Sequence, residues 1–214
     1  MQFSYITLFQ ILPVFLGLTS ATPVAESSGL AARGGERISD IINNNAIEWK
    51  GDGDTQTATY PARRDLDNSP MSKRGFVGIG PIFGEQSKAE CINDGKKMTT
   101  DALLAQARKA CPTLASLTKQ GQAINAAWTF VNQKNVLDAG KYVSVAFGVK
   151  KLGDEANPIQ FTEALCELVF SRALDGAPCG KDQDSHGAKI QVGNMYELQI
   201  DPSSNPNNEK TSDS

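Results

Sequence analysis

Four cysteines, Cys91, Cys111, Cys166 and Cys179, constrain this 214-residue chain more than any other feature. None lies before residue 91, so whatever they brace lies in the later part of the sequence. An even number of cysteines, no Cys-x-x-Cys spacing and a single histidine argue for two disulfides and against a zinc site. Three connectivities are then open. Disulfides persist in oxidising compartments, so the chain is read as extracellular.

The amino-terminal sequence agrees with export. An apolar run from Ile6 to Leu18 is followed by Thr19-Ser20-Ala21, small residues suited to signal peptidase, which places cleavage after Ala21. The run is too short for a membrane span, and no other segment matches it. Residues 1–21 are thus a signal peptide. Residues 22–74 are rich in Gly, Ser, Asn, Asp and Arg and have little to bury; they read as a pro-segment, mostly disordered, with one short amphipathic turn available at Ile38–Ile47. Ser72-Lys73-Arg74-Gly75 closes that segment. Two adjacent cations are costly to bury and stay exposed, and such a pair is what a kexin-type processing protease reads. Arg63-Arg64 is a second such pair. Residues 75–201 then form one disulfide-stabilised domain, and residues 202–214 a polar, flexible tail.

From Gly75 onward the chain carries fourteen Lys+Arg and sixteen Asp+Glu, a net charge near −2. Nucleic-acid binding needs a concentrated basic surface and is not expected. The Gly-rich run 75–84 has neither Gly-x-Gly-x-x-Gly nor a following Lys-Ser/Thr, and no cofactor is implied.

The elements follow from periodicity. Residues 76–84 are apolar but broken by glycines and Pro81, compatible with an edge strand or an arm. Thr99-Thr100-Asp101 signals a helix start. Leu103, Leu104, Ala107, Cys111, Leu114 and Leu117 keep helical spacing to about Gly121, with Pro112 inside as a kink or a break between two collinear helices. Ala126, Trp128 and Phe130 alternate as a short strand. Val143, Val145, Phe147 and Val149 form a clearer one, with Asn132–Gly140 as an open loop between them. Asn157-Pro158-Ile159-Gln160 opens a second helix with Phe161, Leu165, Leu168 and Val169 inward, ended by Gly176 and Pro178. Ala188–Ile200 reads as one continuous strand, because a two-residue turn at Gly193-Asn194 would mix apolar and polar residues on each face. The expected class is an α+β two-layer sandwich, an antiparallel sheet with two helices on one face, ferredoxin-like (βαββαβ) when the first strand forms. Neighbouring antiparallel helices would bring Cys91 to Cys179 and Cys111 to Cys166.

Few residues offer chemistry. Asp182-Gln183-Asp184-Ser185-His186 gathers potential ligands and a serine beside the one histidine; its plainer reading is a solvated loop. Glu163 and Glu167 sit one turn apart and fit a solvent-facing helix side. Lys141, Lys150, Lys151 and Lys189 could form a mild basic patch, though edge-protecting lysines are commoner. Trp128, Phe130 and Phe147 read as core. No catalytic set emerges, and hydrolysis would rest on His186 alone.

With the signal, the segment ending in Lys73-Arg74, the four-cysteine domain and this order of elements, the chain resembles fungal small secreted effector proteins, above all the killer-toxin-like class with an α/β-sandwich fold. Trp128 and Ala146-Phe147-Gly148-Val149 also resemble the fungal necrosis-inducing effector domain. The resemblance implies a secreted, non-enzymatic effector or toxin-like protein that binds a host or competitor macromolecule and is matured by a kexin-type protease. The alternatives are a secreted hydrolase or ribonuclease using His186 and a cell-wall-associated structural protein. The secreted form is expected to begin at Gly75, or at Asp65 if Arg63-Arg64 is cut. N-terminal sequencing that returned Thr22 alone, with neither Gly75 nor Asp65, from a host with active kexin would refute this.

Overall fold

Two alternating apolar runs, at 128–131 and 143–149, become adjacent interior strands of the sheet. The computed structural model describes residues 37–51, 53–60, 77–82, 84–119, 127–152, 160–175, 178–180 and 184–202. In chain order the elements are α1 (Ile38–Asn44), β1 (Thr55–Tyr60), β2 (Val77–Ile82), β3 (Glu85–Cys91), β4 (Met98–Thr99), α2 (Thr100–Lys119), β5 (Trp128–Asp138), β6 (Lys141–Lys151), α3 (Glu163–Leu174), β7 (Asp184–Ser185), β8 (Ala188–Val192) and β9 (Tyr196–Asp201). Seven strands form one antiparallel sheet in the order β1-β5-β6-β9-β8-β3-β2, and β4 pairs with β7 separately. The class is α+β. The strand order is not ferredoxin-like, and three helices pack on the sheet where two were expected.

The expected pair, α2 and α3, lies on one face. Leu103, Ala107, Ala110, Cys111 and Leu114 of α2, and Leu165, Cys166, Val169 and Phe170 of α3, bury against Val143, Val145, Phe147 and Val149 of β6 and Ile190, Leu198 and Ile200 of β8 and β9. Phe147 meets Phe170 edge-on, with centroids 5.8 Å apart, a favoured aromatic geometry. Thr99 caps α2 by accepting from the Ala102 N–H at 3.3 Å. Pro112 lies inside one continuous helix. It sits on the exposed side, where water can satisfy the carbonyl left without its helical donor. The bridges are Cys91–Cys179 and Cys111–Cys166, with Cα separations of 5.0 and 5.6 Å. They span 88 and 55 residues, loops long enough for each to contribute about 4 kcal/mol in the chain-entropy model.

Several expectations give way. The long strand 188–200 is a hairpin, β8–β9, yet it keeps one apolar face. Its turn has three residues, Gly193-Asn194-Met195, one more than the turn weighed in the sequence, and Val192 pairs with Tyr196. Even residues therefore oppose even residues, and Ile190 faces Leu198. Asn132–Gly140 is not an open loop: β5 runs to Asp138, and only Ala139-Gly140 turn the chain. Both have positive φ, 49° and 80°, the requirement of a tight type I′ hairpin. A bulge between Gln133 and Val136, with Asn135 at φ 55°, absorbs the extra residue. The possible first strand is real and continues as the β2–β3 hairpin. The second helix starts at Glu163, capped by Thr162, whose side chain accepts from the Leu165 N–H at 3.2 Å. Leu168 is 37 % exposed, and Cys166, Phe170 and Ala173 take the inward face with Leu165 and Val169. Asn157–Ile159, Gly121 and Gly176 lie outside the described residues.

The largest departure precedes the dibasic pair. Residues 37–60 fall in the segment that the sequence marks as mostly disordered, and they supply α1 and β1 to the body of the fold; α1 lies within the amphipathic turn expected at Ile38–Ile47. β1 pairs along its whole length with β5, from Thr55↔Gln133 to Tyr60↔Trp128. Ile38, Ile41 and Ile42 of α1 pack with Ala58, Trp128, Phe130 and Ala146 in a second core, on the sheet face opposite α2 and α3. Each buried isoleucine is worth about 1.5–3 kcal/mol. A seven-residue helix has too few turns to persist alone, so this packing is what forms it. Asp201, the last residue of the expected domain, is wholly buried at the end of β9 and takes a bidentate ion pair from Arg37, at 2.9–3.1 Å. The signal peptide, Ala21, Arg63, Arg64, Lys73, Arg74 and residues 203–214 lie outside the described residues.

Two measurements check this architecture. Gly187 has φ +106°, and a Cβ there would lie 2.1 Å from the Ile200 carbonyl oxygen. Gly187→Ala should therefore destabilise the fold by about 2–5 kcal/mol, read as a lowered urea midpoint; an unchanged midpoint would contradict the β8–β9 geometry. Burial raises the Tyr196 hydroxyl above its usual pKa of 10.0, partly offset by a hydrogen bond with the Phe161 backbone. A folded-state pKa above the unfolded one gives stability that is full below pH ~10 and is lost as pH climbs through the raised value. The urea midpoint should fall above pH ~10, and less steeply in Tyr196→Phe.

Candidate functional site

The β5–β6 hairpin brings together features that no single stretch of sequence announced. Val136 and Val143 pair across it and face the main core. Alternation then turns the next pair, Leu137 and Tyr142, to the other side of the sheet. They oppose each other in register and are 61 % and 49 % exposed. Two large apolar side chains thus stand side by side near the hairpin tip, next to the exposed Lys141.

The tip is held from two directions. The Asp138 carboxylate accepts from the Thr99 backbone N–H at 3.1 Å and from its hydroxyl at 2.9 Å, fastening the hairpin to the start of α2. On the other strand side, Asn135 donates to the Asp54 carboxylate at 2.8 Å, and the Lys134 N–H donates to the Asp54 carbonyl at 2.7 Å. The left-handed backbone at Asn135 aims that amide. The exposed pair thus stands on a hairpin fixed by hydrogen bonds to Thr99 and Asp54.

The histidine loop is arranged differently. Asp184 and Ser185 form β7, paired with Thr99 and Met98. Ser185 is buried, and its hydroxyl oxygen accepts from the Gly187 N–H at 3.0 Å, closing a turn. His186 Nδ1 lies 3.0 Å from the Gly95 carbonyl oxygen. A carbonyl can only accept, so Nδ1 carries the proton and Nε2 is the basic nitrogen. The serine is thus occupied by backbone next to the histidine, and the ring is oriented by a loop carbonyl, where a general base is usually oriented by a carboxylate. Asp182 and Gln183 lie outside the described residues. Among the described residues, no three His, Cys, Asp or Glu side chains converge as metal ligands.

Other candidates are dispersed. Glu163 and Glu167 lie on α3 away from its buried side, Glu163 exposed and Glu167 half-buried. Lys150 and Lys189 are buried, on the interior strands β6 and β8, so neither is an edge guard. Lys150 lies over the Trp128 ring, 5.9 Å from its centroid, in cation–π range. Trp128, Phe130 and Phe147 are core, split between the two faces: Trp128 stacks on Phe130 in the second core, and Phe147 lies in the main one. A shallow depression of about 470 Å³ between β2 and the end of α3 is lined by Gly78, Ile79, Ser171, Arg172, Asp175 and Pro178. It offers one cation and one anion and no nucleophile paired with a base.

Comparison with protein-family models, with curated proteins and with solved structures finds no match to this chain.

Proposed function

We propose that the protein is a secreted, disulfide-braced effector or toxin-like protein that acts by binding a macromolecule of a host or competitor. The observation that carries this reading is the Leu137–Tyr142 pair, exposed on a hairpin pinned through Asp138 and Asn135. Interfaces are dominated by a few aromatic and apolar anchors on rigid supports, and a rigid pair with half its surface in water is such an anchor. Both disulfides support a chain built for an oxidising, protease-rich medium. The resemblance to killer-toxin-like effectors points the same way. The hydrolase alternative would have to use His186 without the neighbouring Ser185, whose hydroxyl is held in its own turn.

Replacing an anchoring side chain typically costs 2 kcal/mol or so. Leu137→Ala with Tyr142→Ala should therefore lower activity in a quantitative toxicity or virulence assay at least tenfold, with the thermal midpoint within about 3 °C of wild type. His186→Ala should leave activity and stability intact, and Cys111→Ala or Cys166→Ala should abolish activity by unfolding. A hundredfold loss for His186→Ala, with secretion and midpoint unchanged, would move the assignment to a hydrolase.

A further inference from the structure

The two faces of the sheet are covered in different ways. On one, α2 and α3 are joined by Cys111–Cys166 and tied to β3 by Cys91–Cys179. On the other, the cover is α1 with the edge strand β1, and no cysteine lies in that part of the chain. The cover reaches the rest of the molecule covalently only through the connection 61–76, which carries Arg63-Arg64 and Lys73-Arg74.

Noncovalently it is bound at both ends and along its length. Six consecutive pairs join β1 to β5. Ile38, Ile41, Ile42 and Ala58 are buried on Trp128, Phe130 and Ala146, and Trp49 lies 6.4 Å from Phe130, centroid to centroid. Polar contacts fix the register. Arg37 forks onto the buried Asp201 and also pairs with Asp94, and the Ile38 N–H donates to the Gln199 side-chain oxygen at 3.0 Å. Asp54 accepts from Asn135 and Lys134. Within the cover, the Tyr60 hydroxyl donates to the Asn45 side-chain oxygen at 2.9 Å, locking β1 to the end of α1.

We infer that the sheet face formed by Trp128, Phe130 and Ala146, with Gln199 and Asp201 beside it, is a docking surface whose occupant is residues 37–60, held as a noncovalent subunit. Cutting the connection between Tyr60 and Val77 yields a two-chain protein and does not release the amino-terminal piece. The edge pairing is β-augmentation, in which main-chain hydrogen bonds provide affinity and alternate side chains provide specificity. The Arg37–Asp201 pair supplies discrimination: an occupant without a cation at that position leaves a buried carboxylate without its fork partner. Cleavage at a dibasic pair would then mature the protein without baring Trp128 and Phe130. Only a competitor able to add a strand to β5 and offer a cation to Asp201 would displace the segment. The cover shares the Asp54 contacts with the hairpin, but the inference does not depend on the proposed target binding.

The experiment uses the chain from Thr22 to Ser214 with residues 66–71 replaced by the recognition sequence of a sequence-specific protease, so that scission is complete and defined. After cutting, both fragments should co-elute on native size exclusion at the volume of the uncut chain. They should separate in guanidinium without reductant, since neither disulfide joins them. The two tryptophans, Trp49 and Trp128, should keep the uncut emission maximum until denaturant is added. Arg37→Ala should weaken retention at least tenfold, measured by rebinding of a synthetic 37–60 peptide to the isolated larger fragment. Arg37→Lys should restore part of the loss. In the uncut chain Arg37→Ala remains tethered, which separates lost docking from failure to fold. Elution of the amino-terminal fragment alone at micromolar protein, with the larger fragment still folded by circular dichroism, would overturn the inference. So would co-elution at twice the expected mass, which would assign the surface to a second copy of the chain.

Discussion

An antiparallel sheet with apolar side chains on both faces of its central strands cannot stand in water on either side. That constraint governs this structure. β6 carries Val143, Val145, Phe147 and Val149 toward one face and Ala146 toward the other. β5 adds Val131 to the first and Trp128 and Phe130 to the second. A two-layer arrangement with both helices on one side would leave the stacked Trp128–Phe130 pair exposed next to the buried carboxylate of Asp201. The third helix exists because those residues need a cover. Gly148 shows how closely it lies: a Cβ there would be 3.0 Å from the Trp128 ring and 3.2 Å from Ile38. Any side chain at 148 would push between the sheet and α1, and glycine lets them meet.

Which parts were legible in the sequence follows from which signals are local. The α2 start, the inward stripe of α2 and the strand at 143–149 are set by caps and by periods of 3.6 and 2 within one element, and all appear as expected. Two antiparallel helices with one cysteine midway along each leave little choice of pairing, and the bridges join those cysteines. Parity was the difficulty at the carboxyl end. A continuous strand and a three-residue-loop hairpin give the same even-numbered apolar face, and only the two-residue turn conflicts with it. Excluding that turn did not exclude a hairpin. The same holds at 132–140, where Asn135 and Gly140 look like loop residues. They sit at a bulge and a tight turn, both with positive φ.

Beyond the turn at Ile38–Ile47, the order of segment 37–60 is hidden in the sequence for a compositional reason. Gly51, Gly53 and its asparagines suggest disorder, because a segment short of apolar residues cannot offset the entropy of its own ordering. It does not have to fold alone. Its four best apolar residues, Ile38, Ile41, Ile42 and Ala58, all reach one surface already shaped by β5 and β6, and Gly51 and Gly53 supply the positive-φ corners, 102° and 95°, between α1 and β1. Disorder propensity measures what a segment can bury against itself; here the partner was 70 residues or more away in the sequence. The hairpin-tip pair was hidden for a related reason. Leu137 and Tyr142 look like ordinary strand residues until the register places them opposite each other beyond the end of the core.

The two covers also differ in what would remove them. Disulfides act largely by restricting the unfolded chain, so Cys91–Cys179 and Cys111–Cys166 hold the α2–α3 side together even when it transiently opens. The α1–β1 side has only direct contacts, and its opening free energy is set by them alone. Local opening in proteins follows such weak boundaries. This molecule therefore has a built-in order of disassembly, with the amino-terminal cover leaving first and the bridged core last. The Arg37–Asp201 fork sits where that order is decided. It joins the residue preceding α1 to the end of β9, and it is satisfied only while both are in place. A carboxylate buried to that degree resists losing its guanidinium, so the pair opposes gradual fraying of α1 and favours detachment of the cover as one event.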